Sequence, residues 1–215
     1  MVTSLRNKKV IITAGPTWVK IHTDRVISNT ATGSTGILLA KKFVRLGAKV
    51  TLLLGPMGLS KVGQSRALRV LHFQYFNELK VLLEKELSTK KYDLAIHCAA
   101  VSDYKPKFFK KGKISSGLKE LNIKLIPTTK IIKIFKKIQP SITLVGFKFE
   151  PEASRFKLIN EARTLIHNTQ ADFVIANTLK AERYLAYLVT KDQESALIFT
   201  KRDMVEGLIR SIMKN

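Results

Sequence analysis

The segment from Asn29 to Gly36 (NTATGSTG) is built of small residues, contains two glycines and precedes an apolar pattern of helical spacing. Unpaired N–H groups and the helix dipole at such a terminus favour a bound phosphate. A capped helix after a loop fits the same residues, so this segment alone leaves both readings open. A second cluster, Ala99-Ala100-Val101-Ser102-Asp103, follows a short apolar run. Its small side chains let a ligand approach the backbone, and Asp103 is a lone acid in a basic neighbourhood. From Tyr104 to Lys137 there are eleven lysines and one acid, Glu120. Within it, residues 105–113, interrupted by Phe108, Phe109 and Gly112, read as a mobile flap able to close over phosphates and exclude water. Lys113, followed by Ile-Ser-Ser-Gly, is the lysine to single out. Lys130, Lys133 and Lys137 share one helix face and read as solvated.

Other reactive side chains form no constellation. His22, His72, His97 and His167 are scattered and make no zinc set. Cys98 ends an apolar run and reads as core, because a nucleophile needs a paired base and none is visible.

These segments need a scaffold, and its pattern is regular. Apolar runs at 10–12, 49–54, 68–73, 93–97, 142–147 and 172–176 read as buried strands. Helical periodicity covers 36–46, 77–87 (capped by Asn77), 129–138, 152–169 and 201–213. Runs at 184–190 and 196–200 read as a terminal strand pair. Strand–helix alternation of this kind predicts an α/β fold, Rossmann-like and doubly wound, with a mostly parallel sheet. Such sheets bind ligands at the carboxyl ends of strands, where the strand order reverses. The loops at 13–17, 99–103, 147–150 and 177–178 fall at those ends.

Composition bounds the rest. The 215 residues are 45% hydrophobic and 25% charged, which excludes disorder, a collagen-like chain and a disulfide scaffold. One cysteine, no secretory segment and no apolar run near the ~20 residues of a membrane span imply a soluble cytoplasmic protein. Lysine and arginine total 38 against 16 acids, a formal charge of +22. Such an excess asks for an anionic partner. A nucleic-acid-binding protein is one alternative, weakened by the lack of stacking platforms and of any recognised binding motif. A short-chain-reductase-like dinucleotide binder is another. Against it, Gly15 is followed by Pro16 rather than by a G-x-G-x-x-G loop, and the second strand ends in Leu54-Gly55-Pro56 with no acid for a ribose. Tyr187 and Lys191 have a reductase-like spacing but lie in a strand-like run, where residues four apart are ~13 Å from each other.

Taken together the motifs resemble one family, the phosphopantothenoylcysteine synthetases (phosphopantothenate–cysteine ligases), in their stand-alone form. The resemblance rests on ITAGPT (12–17), DRVISN (24–29), TGSTG (32–36), AKVTLLLGP (48–56), CAAVSDYKP (98–106), GKISSG (112–117), VGFKFE (145–150) and DFVIAN (172–177). It covers nearly the whole chain and implies a single ligase domain over residues 1–215, without a fused flavin decarboxylase.

The resemblance implies a two-step ligation in coenzyme A biosynthesis. The carboxylate of 4′-phosphopantothenate attacks the α-phosphate of CTP or ATP and releases pyrophosphate. The amine of L-cysteine then attacks the acyl-nucleotide and releases the nucleoside monophosphate. Asn29 and Lys113 correspond to catalytic positions. Gly15, Gly33, Gly36, Ala99, Asp103, Lys113, Phe147 and Asn177 correspond to nucleotide-binding positions. Arg25, Asn29, Ala99, Ala100 and Asp103 correspond to substrate-binding positions. Mg2+ would bridge phosphates, held by substrate oxygens and water rather than by a protein cage. A homodimer that shares residues between active sites is also implied, with neither nucleic acid nor membrane as partner.

The sequence departs from the family pattern in three places. Many members carry acids where Val19 and His22 stand, although Arg25 is kept. Many carry a lysine in the gap filled here by Ser34 and Thr35. Cytidine-using bacterial members carry two lysines near the places of Leu165 and Thr169. The nucleotide therefore stays open, with the short lysine-rich chain inclining the reading towards CTP.

Overall fold

The longest apolar runs form strands buried on both faces, as parallel strands between two helical layers must be. The computed structural model describes residues 5–56, 62–109, 112, 117 and 119–214. In β1 (Lys9–Ala14) and β4 (Lys49–Leu54) every residue after the first lysine is buried. With β5 (Leu68–His72), β6 (Leu94–His97), β9 (Thr143–Phe149), β10 (Phe173–Lys180) and β11 (Arg183–Val189) they make a seven-stranded sheet. Its order is β11-β10-β9-β6-β1-β4-β5, parallel except for β11 against β10.

Alternate side chains point into two cores. On one face, Val10, Ile12 and Ala14 pack with α1 (Ser34–Arg45) and α5 (Lys201–Lys214). On the other, Ile11, Ala95 and Val174 pack with α2 (Phe76–Thr89), α3 (Ile132–Ile138) and α4 (Arg155–Thr169). The chain leaves β1 towards β4 and β5 in one direction and reaches β6 and β9 in the other. The order therefore reverses between β1 and β6, and that is the switch point of the sheet.

Two short hairpins lie outside the sheet. In the loop after β1, β2 (Trp18–Lys20) pairs with β3 (Val26–Ser28). In the lysine-rich region, β7 (Tyr104–Pro106) pairs with β8 (Leu125–Pro127), closing the base of the expected flap.

Several element bounds differ from the sequence reading, among them two helix starts and the pairing of the terminal strands. Helix α2 starts at Phe76 after Tyr75 rather than being capped by Asn77, because Glu78 reaches back to accept from the N–H groups of Gln74 (2.7 Å) and Tyr75 (3.2 Å). Helix α3 starts at Ile132, so Lys130 precedes it. The antiparallel partner of β11 is β10, while residues 196–200 join β11 only through an Ala186–Ile198 bridge. The hydroxyl of Ser195 instead accepts from the N–H of Leu188 at 3.0 Å.

Candidate active site

The switch point is held open by glycine and by backbone bonds between two loops. Gly15 has φ +82°, a left-handed conformation that a side chain resists. Its carbonyl accepts from Ala100 N–H at 2.9 Å, and the Ala100 carbonyl accepts from Thr17 N–H at 3.2 Å. The loops after β1 and β6 thus run side by side past the sheet. Buried hydroxyls lock them together: Thr17 Oγ1 accepts from Ser102 N–H at 2.9 Å, and Ser102 Oγ donates to the Thr17 carbonyl at 3.1 Å.

Asn29 reaches this crevice from the end of β3. Its Nδ2 donates to the Ala100 carbonyl at 3.0 Å. Arg25 lies in the exposed turn between β2 and β3, where its carbonyl accepts from Ile21 N–H at 2.9 Å. Beside it, His22 is buried, with Nδ1 2.6 Å from Asp24 Oδ1. Thr23 Oγ1 accepts from Gly112 N–H at 3.0 Å, so this turn touches the foot of the flap.

Helix α1 aims its N-terminus at the same crevice. Gly33 caps it at φ 71° without a side-chain cap, and the first turn has no acid. Ser34 N–H has only a long bond to Thr32 Oγ1 at 3.4 Å, and the N–H groups of this turn with the dipole make a positive pole. Gly36 packs so tightly that a Cβ there would lie 2.3 Å from Ala14 Cβ and 3.0 Å from Cys98 Sγ. Only glycine lets the helix start this close to β1 and β6. Lys201, first residue of α5, brings its Nζ within 3.4 Å of Ser34 Oγ. Sequence reasoning missed this cation, because nothing local marks a residue from the last helix as a neighbour of the first.

Phe147 and Asn177 continue the row of strand ends. Gly146 is in register with His97, so Phe147 is level with Cys98 one strand away. Asn177, opposite Phe149, lies one strand further. Phe147 packs with the α1–α5 core, and strand alternation puts Asn177 on that same face. The start of α1, Phe147 and Asn177 therefore lie on one face of the sheet, along strand ends that span about 10 Å from β6 to β10 at the usual strand spacing.

Ala99 and Val101 pack against the other core. Asp103 is exposed and pairs with Lys130 Nζ at 2.6 Å; that lysine is solvated, as expected, and has this carboxylate as a partner. Lys113 lies outside the described residues, as do most of its neighbours in GKISSG.

Beneath the crevice, His97 Nδ1 and Thr13 Oγ1 share a buried hydrogen bond of 2.7 Å. Burial lowers the imidazole to about 4, so it is neutral at physiological pH. Burial also pushes the Cys98 thiol up to about 12. Cys98 is therefore a protonated packing residue rather than a nucleophile, as its sequence context suggests. Among the described residues no group of three or more His, Cys, Asp or Glu could hold a metal ion.

An anion pole, an amide on the opposing loop and an approachable backbone suit the activation of a carboxylate by a phosphorylated nucleotide. The family model for the C-terminal domain of DNA/pantothenate metabolism flavoproteins matches residues 5–214. The coenzyme A biosynthesis bifunctional protein CoaBC of Thermococcus kodakarensis is 37% identical over 98% of this chain and 52% of its own length. The CoaBC protein of Methanocaldococcus jannaschii is 29% identical over 96% of this chain and 50% of its own. The chain thus spans about half the length of these curated relatives. Among solved structures, the DNA/pantothenate metabolism flavoprotein of Streptococcus pneumoniae superposes with a TM-score of 0.86 at 28% identity, covering 96% of this chain and 99% of that one. A Cab2 mutant in complex with phosphopantothenate-cysteine shares the fold, with a TM-score of 0.80 at 18% identity, covering 97% of this chain and 87% of that one.

Proposed function

The chain belongs to the family of the DNA/pantothenate metabolism flavoprotein C-terminal domain, and on that premise we propose that it is a phosphopantothenate–cysteine ligase of coenzyme A biosynthesis. The observation that carries this reading is the Asn29–Ala100 contact at the switch point, where α1 also starts with Gly36 packed against Ala14 and Cys98.

In the first step a carboxylate oxygen of 4′-phosphopantothenate attacks the α-phosphorus of CTP or ATP. The bond to the bridging oxygen breaks, and pyrophosphate leaves with the electron pair. The N–H groups at the start of α1, with Lys201 beside them, stabilise charge on the phosphates. Phe147 and Asn177 border the crevice where the nucleoside would lie. Lys113, which lies outside the described residues, would add a cation to the phosphates.

In the second step the amine of L-cysteine attacks the acyl carbon, and the nucleoside monophosphate leaves. A primary amide has two N–H donors. One of Asn29's is used by Ala100, which fixes the side chain, and the other can hydrogen-bond the acyl oxygen without adding charge. Arg25 and the backbone at Ala99 position the phosphopantothenoyl group, while the Ala100 backbone, bonded to Gly15, Thr17 and Asn29, holds the loop that carries them. Mg2+ fits as the companion of the triphosphate, because Asp103 is the sole carboxylate of the substrate loop and is already paired with Lys130.

CTP is the favoured nucleotide, with ATP the alternative. A homodimer is supported by exposed apolar side chains on both hairpins and the flap: Val26, Ile27, Tyr104, Phe108, Phe109 and Leu125. One ligase domain over 1–215 and a cytoplasmic setting complete the reading. No described helix is long and apolar enough to cross a membrane.

The test is mass spectrometry of the protein incubated with 4′-phosphopantothenate, L-cysteine, Mg2+ and either nucleotide. Phosphopantothenoylcysteine is expected to form with at least one of them. Its absence with both overturns the reading.

A further inference from the structure

The amino edge of the sheet, opposite the crevice, holds a second concentration of charge that the ligation does not use. Lys9 and Lys49 are register partners at the starts of β1 and β4, about 5 Å apart across the parallel pair. Val50 N–H donates to the Ala67 carbonyl at 2.8 Å, which sets Arg66 beside them. Together with Arg69 and Lys90 these side chains line a cavity of about 240 Å³ floored by Thr51 and Tyr92.

Two acids stand near these five cations. Asp93 takes Lys8 Nζ at 3.2 Å and Lys9 N–H at 2.8 Å. Glu86 is buried and accepts from Tyr92 Oη at 2.6 Å, from Lys90 Nζ at 3.1 Å and from Arg69 Nη2. The Glu86 bond, a longer one from Nη2 to Thr51 Oγ1 at 3.4 Å and an interaction with the Tyr92 hydroxyl hold the guanidinium from the Glu86 side. The Arg69 side chain stays 39% exposed where it lines the cavity. A guanidinium held on one side and open on the other is preorganised for a phosphoryl group. Like charges side by side on neighbouring strands cost stability until an anion neutralises them.

We infer that this cavity is a second anion site, which takes a small phosphorylated molecule carrying several negative charges, gripped by Arg69 and flanked by Lys9, Lys49 and Arg66.

The probe is inorganic tripolyphosphate, titrated into the 15N-labelled protein and followed by backbone amide shifts. Lys49→Ser/Arg66→Ser is the control variant, since both side chains are exposed and leave the core intact. In the natural sequence the Val50 and Ala67 amides are expected to shift saturably, with a Kd of about 1 mM or tighter. In the double variant that binding weakens at least about tenfold, while the shifts at Gly33 and Gly36 keep their affinity. Equal shifts at Val50 and Ala67 in both proteins, or none in either, overturn the site. A short RNA duplex that moves these amides at lower concentration than tripolyphosphate also overturns it, by assigning the edge to nucleic acid.

Discussion

Asn29 Nδ2 donates to the carbonyl oxygen of Ala100 at 3.0 Å, joining residues 71 positions apart in the chain. The contact ties the end of β3 to the loop after β6, across the point where the strand order reverses. Asn29→Asp replaces the donor with a carboxylate facing a carbonyl oxygen. Because the residue is exposed, the fold is expected to survive. Ligation should fall at least about a hundredfold, the scale of losing an oxyanion donor, with the acyl-nucleotide accumulating or failing to form. Product analysis with and without L-cysteine separates these outcomes, and turnover equal to the natural sequence removes Asn29 from the mechanism.

Lys201 lies beside the first turn of α1. Lys201→Met is expected to raise the nucleotide KM about tenfold, the size of one charge-assisted contact. The KM for 4′-phosphopantothenate should change little. Steady-state kinetics with each substrate varied in turn checks the split, and equal rises in both KM values contradict it.

Lys113→Gln on the flap is expected to lower the rate at least about tenfold for the same reason. An unchanged rate makes it a surface lysine.

Gly36→Ala forces a methyl group to 2.3 Å from Ala14 Cβ. Overpacking of this kind costs about 1–3 kcal/mol. Adding Ala14→Gly removes the clashing atom and should recover part of the lost Tm despite weakening β1. Calorimetry of the two variants and the natural sequence checks this. A double variant no more stable than Gly36→Ala places the cost elsewhere.

His97 gives the fold a defined pH dependence. Burial holds its folded pKa at about 4, below an unfolded value near 6.5. Above about pH 6.5 neither state binds the proton and the contribution is complete. As pH falls from about 6.5 to about 4 the unfolded state is protonated first, and roughly 3 kcal/mol of stability is lost. The substitution His97→Gln keeps a hydrogen-bonding group beside Thr13 but cannot titrate, so denaturant melts of that variant should lack this part of the slope. Identical slopes in the two proteins contradict the assignment.

The central strands were legible because they are buried on both faces and read as apolar runs, as in Val10 to Ile12. The loops at their carboxyl ends were legible for the same reason, since a parallel sheet sends its ligands there. The two hairpins were not. Strands β2, β3, β7 and β8 have three residues each and expose most of their side chains, so they carry no periodic signal. Helix starts were displaced where a side chain two or three residues inside the helix did the capping, as Glu78 does. Pairings between distant loops, such as Asp103 with Lys130 and Lys201 with Ser34, depend on tertiary proximity that no local pattern encodes. The net charge of +22 was legible from the first count, but its arrangement was not. Part of it meets at the amino edge, away from the crevice.

Pyrophosphate release is the most direct measure of whether this crevice activates a carboxylate. The protein would be given Mg2+ with CTP or ATP, with 4′-phosphopantothenate present or omitted, and with L-cysteine present or omitted. The account predicts release that requires 4′-phosphopantothenate, starts without L-cysteine and turns over only when L-cysteine is added. No release with either nucleotide, or release independent of 4′-phosphopantothenate, contradicts it.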